Sequence, residues 1–224
     1  MASLAFATFK RNPALPPTMK SVFKGILSTL SLLWVSPLLV LFGLSADRDT
    51  IRYDTKCWIE NLDRPNRSPL VNLLYLLAKH PEFRNLFYHR IFQSNLLSRI
   101  VLALLKIVYR PCPYLFIDNS SKIGSGLFLQ HGFSTIIMAD MGENCWVNQQ
   151  VTIGYKDRSG RPSIGNNVRI TAGAKVLGNI KVGDNVVVGA NAVVVKNVPA
   201  NCVVVGVPAY IVKRDGVKVN EPLV

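Results

Sequence analysis

Aliphatic residues recur at every sixth position through the second half of the sequence, a period that fits neither a helix nor an ordinary strand. A unit of this length cannot bury its own apolar side, so successive units must stack on one another, with three of them making one triangular coil. The pattern therefore predicts a β-solenoid with the repeated positions inside it. These positions are Ile117, Ile123, Leu129, Thr135, Met141, Val147, Ile153, Ile164, Ile170, Val176, Val182, Val188 and Val194.

The step from Ile153 to Ile164 is eleven residues, which is five more than the period allows. The extra residues are polar and include glycine and proline, a composition typical of a loop that leaves the surface of a coil. We expect the segment 155–163 to fold over a cleft. Because such solenoids expose flat sides and bind ligands between neighbours, we also expect a homotrimer with binding sites at its seams.

Helical patterns fill the region before the solenoid. Ser68 and Pro69 provide a capping residue and a first-turn proline, and leucines follow at spacings of three and four. The pattern restarts at Pro81 and is stopped by Pro111 and Pro113. The chain is thereby divided into an N-terminal basic and apolar segment, 1–52, a helical region, 53–113, the solenoid domain, 114–212, and a C-terminal tail, 213–224.

A stretch of 22 residues without a charge, 25–46, lies near the N-terminus. Since about 20 apolar residues suffice to span a bilayer as a helix, this stretch predicts a membrane-associating segment. Three forms of it stay open: a transmembrane anchor, a re-entrant or interfacial hairpin broken at Ser36 and Pro37, and a cleaved signal peptide. A buried core helix is a fourth.

The charge balance narrows the range of partners. The chain has 26 Lys+Arg against 13 Asp+Glu, a net charge of +13, and basic residues flank the apolar stretch, where they would face anionic lipid head groups. Nucleic-acid binding is not predicted, because the basic residues are scattered and no aromatic side chains interleave with them. The four cysteines have no paired spacing, so we expect reduced thiols and no metal.

Several stretches of the solenoid, 122–132, 151–154, 172–180 and 206–209, carry a resemblance to a known family. With the helical lead-in at 80–84, they resemble the serine acetyltransferase branch of the hexapeptide-repeat acyltransferases. The resemblance covers about residues 81–214. It implies a mainly β chain with a left-handed parallel β-helix, assembled as a trimer or a dimer of trimers. It also implies acetyl-CoA as the donor for acetylation of a hydroxyl or an amine.

His131 is the candidate general base. It is the one histidine within the solenoid and lies two residues after a repeated aliphatic position, where a side chain points outward. The ordinary pKa of an imidazole, about 6.5, suits removal of a proton from a hydroxyl that attacks the thioester carbonyl. Backbone amides near the seam would stabilise the oxyanion that develops.

The acceptor site departs from the family pattern. Serine acetyltransferases use one carboxylate to orient the histidine and another, just before it, to hold the amino acid. This chain has Phe116 and Gln130 at those positions, and Asp118 is the nearby carboxylate that could replace the first. A neutral amide pairs poorly with an ammonium group. The pattern instead resembles the cell-surface polysaccharide relatives of the family, which O-acetylate sugars. That resemblance implies a sugar hydroxyl of cell-surface or exopolysaccharide biosynthesis, free or on a glycolipid, as the acceptor.

Two alternatives to that function stay open. One is acetylation of L-serine for cysteine biosynthesis, and the other, of a different class, is a non-catalytic membrane-associated trimeric scaffold. The resemblance implies that acetyl-CoA lies in a groove between subunits, along small residues of stacked coils. Because this cofactor is cytosolic and the apolar stretch predicts membrane association, we expect a cytoplasmic enzyme associated with the inner face of the membrane. The candidate residues are Gly154, Ala172, Gly173 and Ala190 for the pantetheine, and Lys175, Lys196 and Lys213 for the phosphates.

Overall fold

The structure is a computed structural model that describes the backbone of residues 19–223 and the side chains of residues 21–223. Residues 1–18, part of the predicted N-terminal segment, lie outside the described residues. Along the described chain, helices come first and short strands follow. The helices are α1 (Met19–Val35), α2 (Leu39–Leu44), α3 (Arg48–Asn61), α4 (Pro69–Lys79), α5 (Pro81–Gln93) and α6 (Leu96–Val108), with a 3-10 turn at Ser36–Leu38.

The helix boundaries match the sequence signals in some places and not in others. Helix α4 begins at Pro69 as predicted, but the Ser68 hydroxyl makes no capping hydrogen bond. The side chain of Asn72 bonds the preceding turn instead, since it accepts from the Arg67 amide at 3.3 Å and donates to the Arg67 carbonyl at 3.1 Å. Helix α3 runs across the boundary that we placed between residues 52 and 53.

The apolar stretch forms one helical run from α1 through the 3-10 turn into α2. Pro37 cannot donate to the carbonyl of Leu33, and the Ser36 hydroxyl donates to that carbonyl instead, at 2.8 Å. The backbone stays in the right-handed helical region across this point, so the described segment is not a hairpin. Ser21–Leu44 is long and apolar enough to cross a membrane, a property that core helices and signal sequences share.

The strands wind into a solenoid with three parallel sheets, which confirms the predicted β-solenoid. Sheet A contains β1 (Leu115–Ile117), β3 (Thr135–Ile137), β6 (Thr152–Gly154), β9 (Lys175–Leu177) and β12 (Val193–Val194). Sheet B contains β4 (Asp140–Met141), β7 (Ser163–Ile164) and β10 (Lys181–Val182). Sheet C contains β2 (Phe128–Gln130), β5 (Trp146–Asn148), β8 (Arg169–Ile170), β11 (Val187–Val188) and β13 (Cys202–Val205), and it ends in the antiparallel strands β14 (Tyr210–Arg214) and β15 (Val217–Pro222).

The repeated positions fill the interior, with one correction to the predicted register. In sheet A, Ile117 pairs with Ile137, which in turn pairs with Ile153. The turn after β2 is two residues longer than the six-residue period predicts, and the next turn, between β3 and β4, is two residues shorter. Thr135 therefore does not belong to the ladder. Thr135 is buried, and its hydroxyl bonds to backbone carbonyls. The one polar residue in the predicted series therefore marks the place where the register slips.

The C-terminal segment is also part of the fold rather than a separate tail. The boundary that we placed between residues 212 and 213 falls inside β14, and β15 returns beside it to complete a hairpin on sheet C. The Arg214 guanidinium pairs with the Glu221 carboxylate across this hairpin at 2.5 Å. All four cysteines are free, and burial raises the pKa of Cys145 to about 11, so its thiol stays protonated.

Helices α3 and α5 pack against the first coil, and the residues that join them form the helix–solenoid junction, defined as Asp54, Trp58 and Arg90 with the backbone of 123–127. The Trp58 indole donates to the Leu127 carbonyl at 2.8 Å. Arg90 pairs with Asp54 at 2.9 Å, and both side chains are almost completely buried. The helical region and the solenoid therefore share one hydrophobic core.

His89 of α5 lies next to this junction and gives a testable pH dependence. Only 3% of its surface is exposed, and burial lowers its pKa to about 4, with Arg90 acting in the same direction and Asp118 opposing it. In the unfolded chain the pKa is about 6.5. As the pH falls from about 6.5 to about 4, the unfolded state binds a proton that the folded state refuses, and this residue should lower the free energy of unfolding by about 3 kcal/mol.

The measurement is denaturant unfolding at a series of pH values, for the wild type and for His89→Gln. Glutamine keeps a polar side chain of similar size without a titrating group, so the difference between the two curves isolates this histidine. We expect the difference to shrink progressively below about pH 6.5. If the unfolding free energies of the two proteins change with pH in parallel, the imidazole binds its proton in the folded state as readily as in the unfolded state.

Candidate functional site

Four turns that join sheet C to sheet A stack along one edge of the solenoid, and this edge is named the corner stack. It comprises residues 131–134, 149–151, 171–174 and 189–192. Backbone hydrogen bonds connect each turn to the next, so the edge is a continuous and rigid surface. The amide of Gln150 donates to the carbonyl of Phe133 at 2.8 Å, that of Gly173 to Gln149 at 3.1 Å, and that of Asn191 to Ala172 at 2.9 Å.

His131 opens the first turn of the corner stack, and its side chain is exposed. Its φ is 54°, in the left-handed region that costs a non-glycine residue about 1–3 kcal/mol. Ser134 at the other end of the turn has a φ of 52°, so this turn holds two left-handed residues. The two additional residues that shift the register of Thr135 lie here. The imidazole therefore sits on a corner that departs from the regular coil.

Helix α5 supports this turn from inside. Gly132 is buried, and a Cβ there would lie 3.0 Å from Cγ of Glu82 and 3.4 Å from Cδ2 of Leu115. A larger residue would require the Glu82 side chain to shift by a few tenths of an ångström, so glycine allows α5 and the turn to lie close together. None of the ion pairs in the described part of the chain involves His131, so no described carboxylate orients its ring.

Gln130 precedes His131 and is held by two donors from the next coil. Its Oε1 accepts from Nε1 of Trp146 at 3.1 Å and from Nδ2 of Asn148 at 3.0 Å. An indole N–H can only donate, so this bond fixes which end of the amide is the oxygen. The Nε2 group remains, with two N–H donors. Gln130 therefore offers donors, and no charge, to a molecule bound beside His131.

Asp118 does not lie with His131. It follows β1 on the edge between sheets A and B, where its carboxylate pairs with Arg161 at 3.2 Å. The same guanidinium pairs with Asp140 at 2.8 Å and donates to the Ser120 hydroxyl at 2.7 Å. Arg161 ends the inserted loop, so Asp118 fastens that loop to the first coils. The expectation that Asp118 could orient the histidine is therefore corrected.

Phe116 occupies the position at which the resemblance implies a carboxylate, and it lies on the outer face of sheet A. It pairs with Ile136, and both side chains are exposed. Tyr114 and Phe133 lie at the same end of the solenoid with their rings 5.9 Å apart, and they are exposed too. These four side chains form an apolar patch close to the turn that carries His131.

The structure places three of the four predicted pantetheine residues on the corner stack. Ala172 and Gly173 lie in its third turn and Ala190 in its fourth, on the same edge as His131. A Cβ at Gly173, whose φ is 75°, would come 2.0 Å from Oδ1 of Asn191, so the stack excludes any larger residue there. Gly154 lies toward the next edge, as the last residue of β6, and its carbonyl accepts from the Gly178 amide at 2.9 Å.

The three lysines proposed for the phosphates lie apart from one another. Lys175 reaches the corner stack, where its Nζ donates to the Gln150 carbonyl at 2.7 Å. Lys196 follows β12, and its Nζ donates to the Leu223 carbonyl at 3.0 Å. Lys213 is exposed on β14 in sheet C. A ligand on the corner stack could therefore use Lys175, while the other two belong to the C-terminal side of the solenoid.

An exposed imidazole on a rigid edge of small residues can accept a proton from a hydroxyl and return it to a leaving group. Sequence reasoning found His131, Gln130 and the small residues of this edge. It missed Trp146 and Asn148, which hold Gln130, because they act across coils and their roles depend on pairing between β2 and β5. It also missed the function of Arg161. The eleven-residue step between Ile153 and Ile164 was the signal in the sequence that could have indicated it.

Comparisons with known proteins agree with this architecture. A family model described as bacterial transferase hexapeptide (six repeats) matches residues 161–196. A serine acetyltransferase of Staphylococcus aureus (strain Mu50) is 38% identical over 176 residues, which cover 76% of this chain and 81% of that protein. A serine acetyltransferase of Synechococcus elongatus is 38% identical over 158 residues, covering 66% of this chain and 64% of that protein, so the chain spans slightly less than two thirds of that relative.

The fold is shared with solved structures as well. The crystal structure of a serine acetyltransferase from Neisseria gonorrhoeae superposes with a TM-score of 0.62 and 26% sequence identity. The match covers 90% of this chain and 86% of that one, so it includes the helices as well as the solenoid.

Proposed function

The chain belongs to the serine acetyltransferase branch of the hexapeptide-repeat acyltransferases, and from that premise we propose that it transfers the acetyl group of acetyl-CoA to a hydroxyl. The membership confirms the resemblance that the sequence carried and, with it, a left-handed β-helix preceded by helices. The observation that carries the proposal is the exposed imidazole of His131 on the corner stack.

In the proposed reaction His131 is the general base. Its imidazole takes the proton of the acceptor hydroxyl as the oxygen attacks the thioester carbonyl carbon, and a tetrahedral oxyanion forms. When the C–S bond breaks, the imidazolium returns the proton to the sulfur, which yields an acetyl ester and CoA as the thiol. The donor for the oxyanion would be a backbone amide of the corner stack other than those that already bond a neighbouring turn, as the Gly173 amide does.

The donor fits the corner stack on two grounds. Ala172, Gly173 and Ala190 leave the backbone accessible to a narrow chain such as pantetheine, and the amides and carbonyls of stacked turns lie in line. Lys175 is half-buried on the same edge, and it is the lysine that we assign to an anionic part of the donor. Lys196 and Lys213 would contact the donor only beyond the last complete coil.

L-Serine is the acceptor that the relatives support. Proteins named serine acetyltransferase match the chain at 38% identity, and no relative described above is named for a sugar. The comparisons thus favour the alternative that the sequence left open over a sugar hydroxyl of exopolysaccharide biosynthesis. On this proposal the chain would catalyse the activation of serine for cysteine biosynthesis.

A sugar hydroxyl is the second candidate acceptor, and Gln130 is the observation that favours it. The ammonium group of serine needs acceptor oxygens around it, whereas Gln130 has committed its oxygen to Trp146 and Asn148 and presents N–H donors. Asp118 is engaged with Arg161 and supplies no replacement. Hydroxyl and carbonyl oxygens of an uncharged sugar would accept from the Gln130 amide.

Gln130→Glu separates the two acceptors. Glutamate has the same shape, and one of its oxygens would still accept from Trp146 and Asn148 while the other would face the acceptor as an anion. If L-serine is the substrate, its KM should fall by about tenfold, since a charge-assisted hydrogen bond contributes about 1.5–3 kcal/mol. For a sugar acceptor the KM should rise, because the Gln130 donors are lost.

The measurement is release of CoA thiol by the wild type and the variant, with L-serine and with a panel of nucleotide-linked and lipid-linked sugars. Each acceptor serves as the control for the other, because a general loss of fold would reduce both activities equally. Wild-type turnover on L-serine alone would remove the sugar candidate. Turnover on a sugar alone would remove L-serine and leave acetyl transfer itself in place.

The active assembly that we propose is a homotrimer. The apolar patch of Tyr114, Phe116, Phe133 and Ile136 lies beside the corner stack, and contact between copies of the chain would cover it. Such a contact would bring a second chain close to His131. Sedimentation of the purified protein should give three times the mass of one chain.

A further inference from the structure

We propose that α1, α2 and α6 together form a monotopic membrane-binding surface, which rests on one leaflet of an anionic bilayer and does not span it. This inference is independent of the catalytic proposal. It differs from the sequence-based expectation in two ways, because it includes α6, which lies outside the apolar stretch, and because the apolar stretch lies on the bilayer as one helical run, neither an anchor nor a hairpin.

Helix α6 exposes a full apolar face. Six large apolar side chains on this helix are solvent-exposed, and their spacing places them on one side. The opposite side, with Ser98 and Leu102, is buried against the protein. A helix of a soluble protein normally turns its apolar side inward, so this arrangement requires something to cover it. The exposed residues are Leu96, Leu97, Ile100, Leu104, Ile107 and Val108.

Helix α1 exposes a second apolar face, and from Ser28 onward its other side is docked against the protein. Ser28 and Leu32 point to the opposite side of α1, where they line a groove shared with Arg67 and Asn72 next to α4. A spanning orientation would carry the charged and polar side chains that line this groove, such as Arg67 and Asn72, into about 30 Å of hydrocarbon, where such groups are costly. The exposed residues are Val22, Phe23, Ile26, Leu27, Leu30, Leu33 and Trp34.

The two faces are joined by direct contacts between their helices. The run from Trp34 to the end of α2 lies antiparallel to α6. The Tyr109 hydroxyl donates to the Trp34 carbonyl at 2.8 Å, and the two rings are 5.7 Å apart. At the other end, Asn95 and Ser98 donate to the Leu44 carbonyl at 2.8 and 3.2 Å. The apolar helices are therefore fixed to one another and to the protein.

The charges favour an anionic bilayer over a second copy of the chain. Residues 19–44 and 95–110 contain five basic and no acidic side chains. On α6, Arg99 is exposed beside the apolar face and lies over the Phe92 ring at 4.9 Å, while Lys106 is half-buried and lies over the Tyr88 ring at 5.4 Å. Two identical cationic surfaces would repel each other, whereas lipid phosphates would attract both. Apolar side chains with flanking bases are typical of helices that lie in the membrane interface.

The test is flotation of the full chain with vesicles made of equal parts of phosphatidylglycerol and phosphatidylcholine. The informative variant is Leu104→Gln combined with Ile107→Gln, because both residues are exposed and their replacement should not disturb the fold. The matched control is Val217→Gln on the C-terminal hairpin, since Val217 is 65% exposed and Ile107 is 72% exposed.

We expect the wild type and the control to float with these vesicles, less so at high salt or with phosphatidylcholine alone. The double variant should bind at least about tenfold more weakly, since each apolar side chain withdrawn from the interface costs a comparable factor. Equal flotation of the double variant and the wild type would overturn the proposal, as would a wild type that does not float. A smaller assembly of the double variant in the absence of lipid would identify a second copy as the occupant and also overturn it.

Trp34 distinguishes a monotopic surface from a span. It lies near the middle of Ser21–Leu44, so in a spanning helix it would sit near the bilayer centre. In a monotopic helix it would sit near the head groups. We expect its fluorescence, obtained by subtracting that of Trp34→Phe, to be quenched more by lipids brominated near the head-group end of the acyl chain than by lipids brominated near its terminus. The reverse order would show a span and refute the monotopic arrangement.

Discussion

Replacing His131 with asparagine is expected to reduce the turnover of acetyl-CoA by about 10²–10⁴-fold, the usual contribution of a general base. Asparagine cannot accept a proton from the acceptor hydroxyl at neutral pH. It is, however, among the residues that best tolerate a positive φ, and Asn191 has this conformation on the same edge with a φ of 57°. The substitution should therefore leave the turn and the stability of the protein unchanged or slightly improved.

The matched control is Ser134→Asn, which introduces the same residue at the other left-handed position of the same turn. Its activity should stay within about twofold of the wild type, as expected for an exposed position. Thermal unfolding and calorimetric binding of CoA should be unaffected in both variants. Full activity of His131→Asn, with CoA still bound, would remove the imidazole from the mechanism. A wild type that does not bind CoA would favour the non-catalytic scaffold instead.

The fold could be predicted from the sequence because its repeat is local and its interior is uniform. Each coil buries the same positions, so the six-residue period alone gave the solenoid and most of its ladders. The exception was the turn at His131, where Thr135 keeps the count while Ile137 takes the place in the ladder. A two-residue insertion followed by a matching deletion leaves the count of the sequence unchanged, so only the pairing of strands reveals it.

The candidate site was predictable where a single residue carries the chemistry and not where the chain crosses between coils. His131 followed from its position after a repeated residue. The direction in which Asp118 points, toward Arg161 rather than the imidazole, depends on a loop that returns from forty-three residues away. The same holds for the orientation of the Gln130 amide. Contacts of this kind depend on how the folded chain packs, and no repeated pattern in a single sequence indicates them.

The second large effect is expected at the helix–solenoid junction, where Asp54 and Arg90 form a buried ion pair. Their side chains are 2% and 4% exposed, and Nε of Arg90 lies 2.9 Å from Oδ2 of Asp54. Arg90 also donates to the carbonyls of Ile123 and Gly124, and Asp54 accepts from the Gly126 amide at 2.6 Å. The pair thus bonds three backbone groups of the first coil, at the end of the solenoid where no further coil can bond them.

Asp54→Asn should lower the free energy of unfolding by about 3–5 kcal/mol, because it leaves the Arg90 guanidinium buried without a counter-charge. Denaturant unfolding measures this effect. The matched control is Asp49→Asn on the same helix, whose partner Arg52 lies at 2.7 Å in an exposed pair, and no measurable change is expected there.

The double variant Asp54→Leu with Arg90→Met tests whether the uncompensated charge of Arg90 causes this loss of stability. If the cost comes from an uncompensated buried charge, removing both charges should destabilise the protein less than the sum of the two single changes. Additive losses would mean that the two side chains act through separate hydrogen bonds to the first coil. A loss in Asp54→Asn no larger than that in Asp49→Asn would show that the helices and the solenoid are held together by the apolar contacts of Trp58 and its neighbours alone.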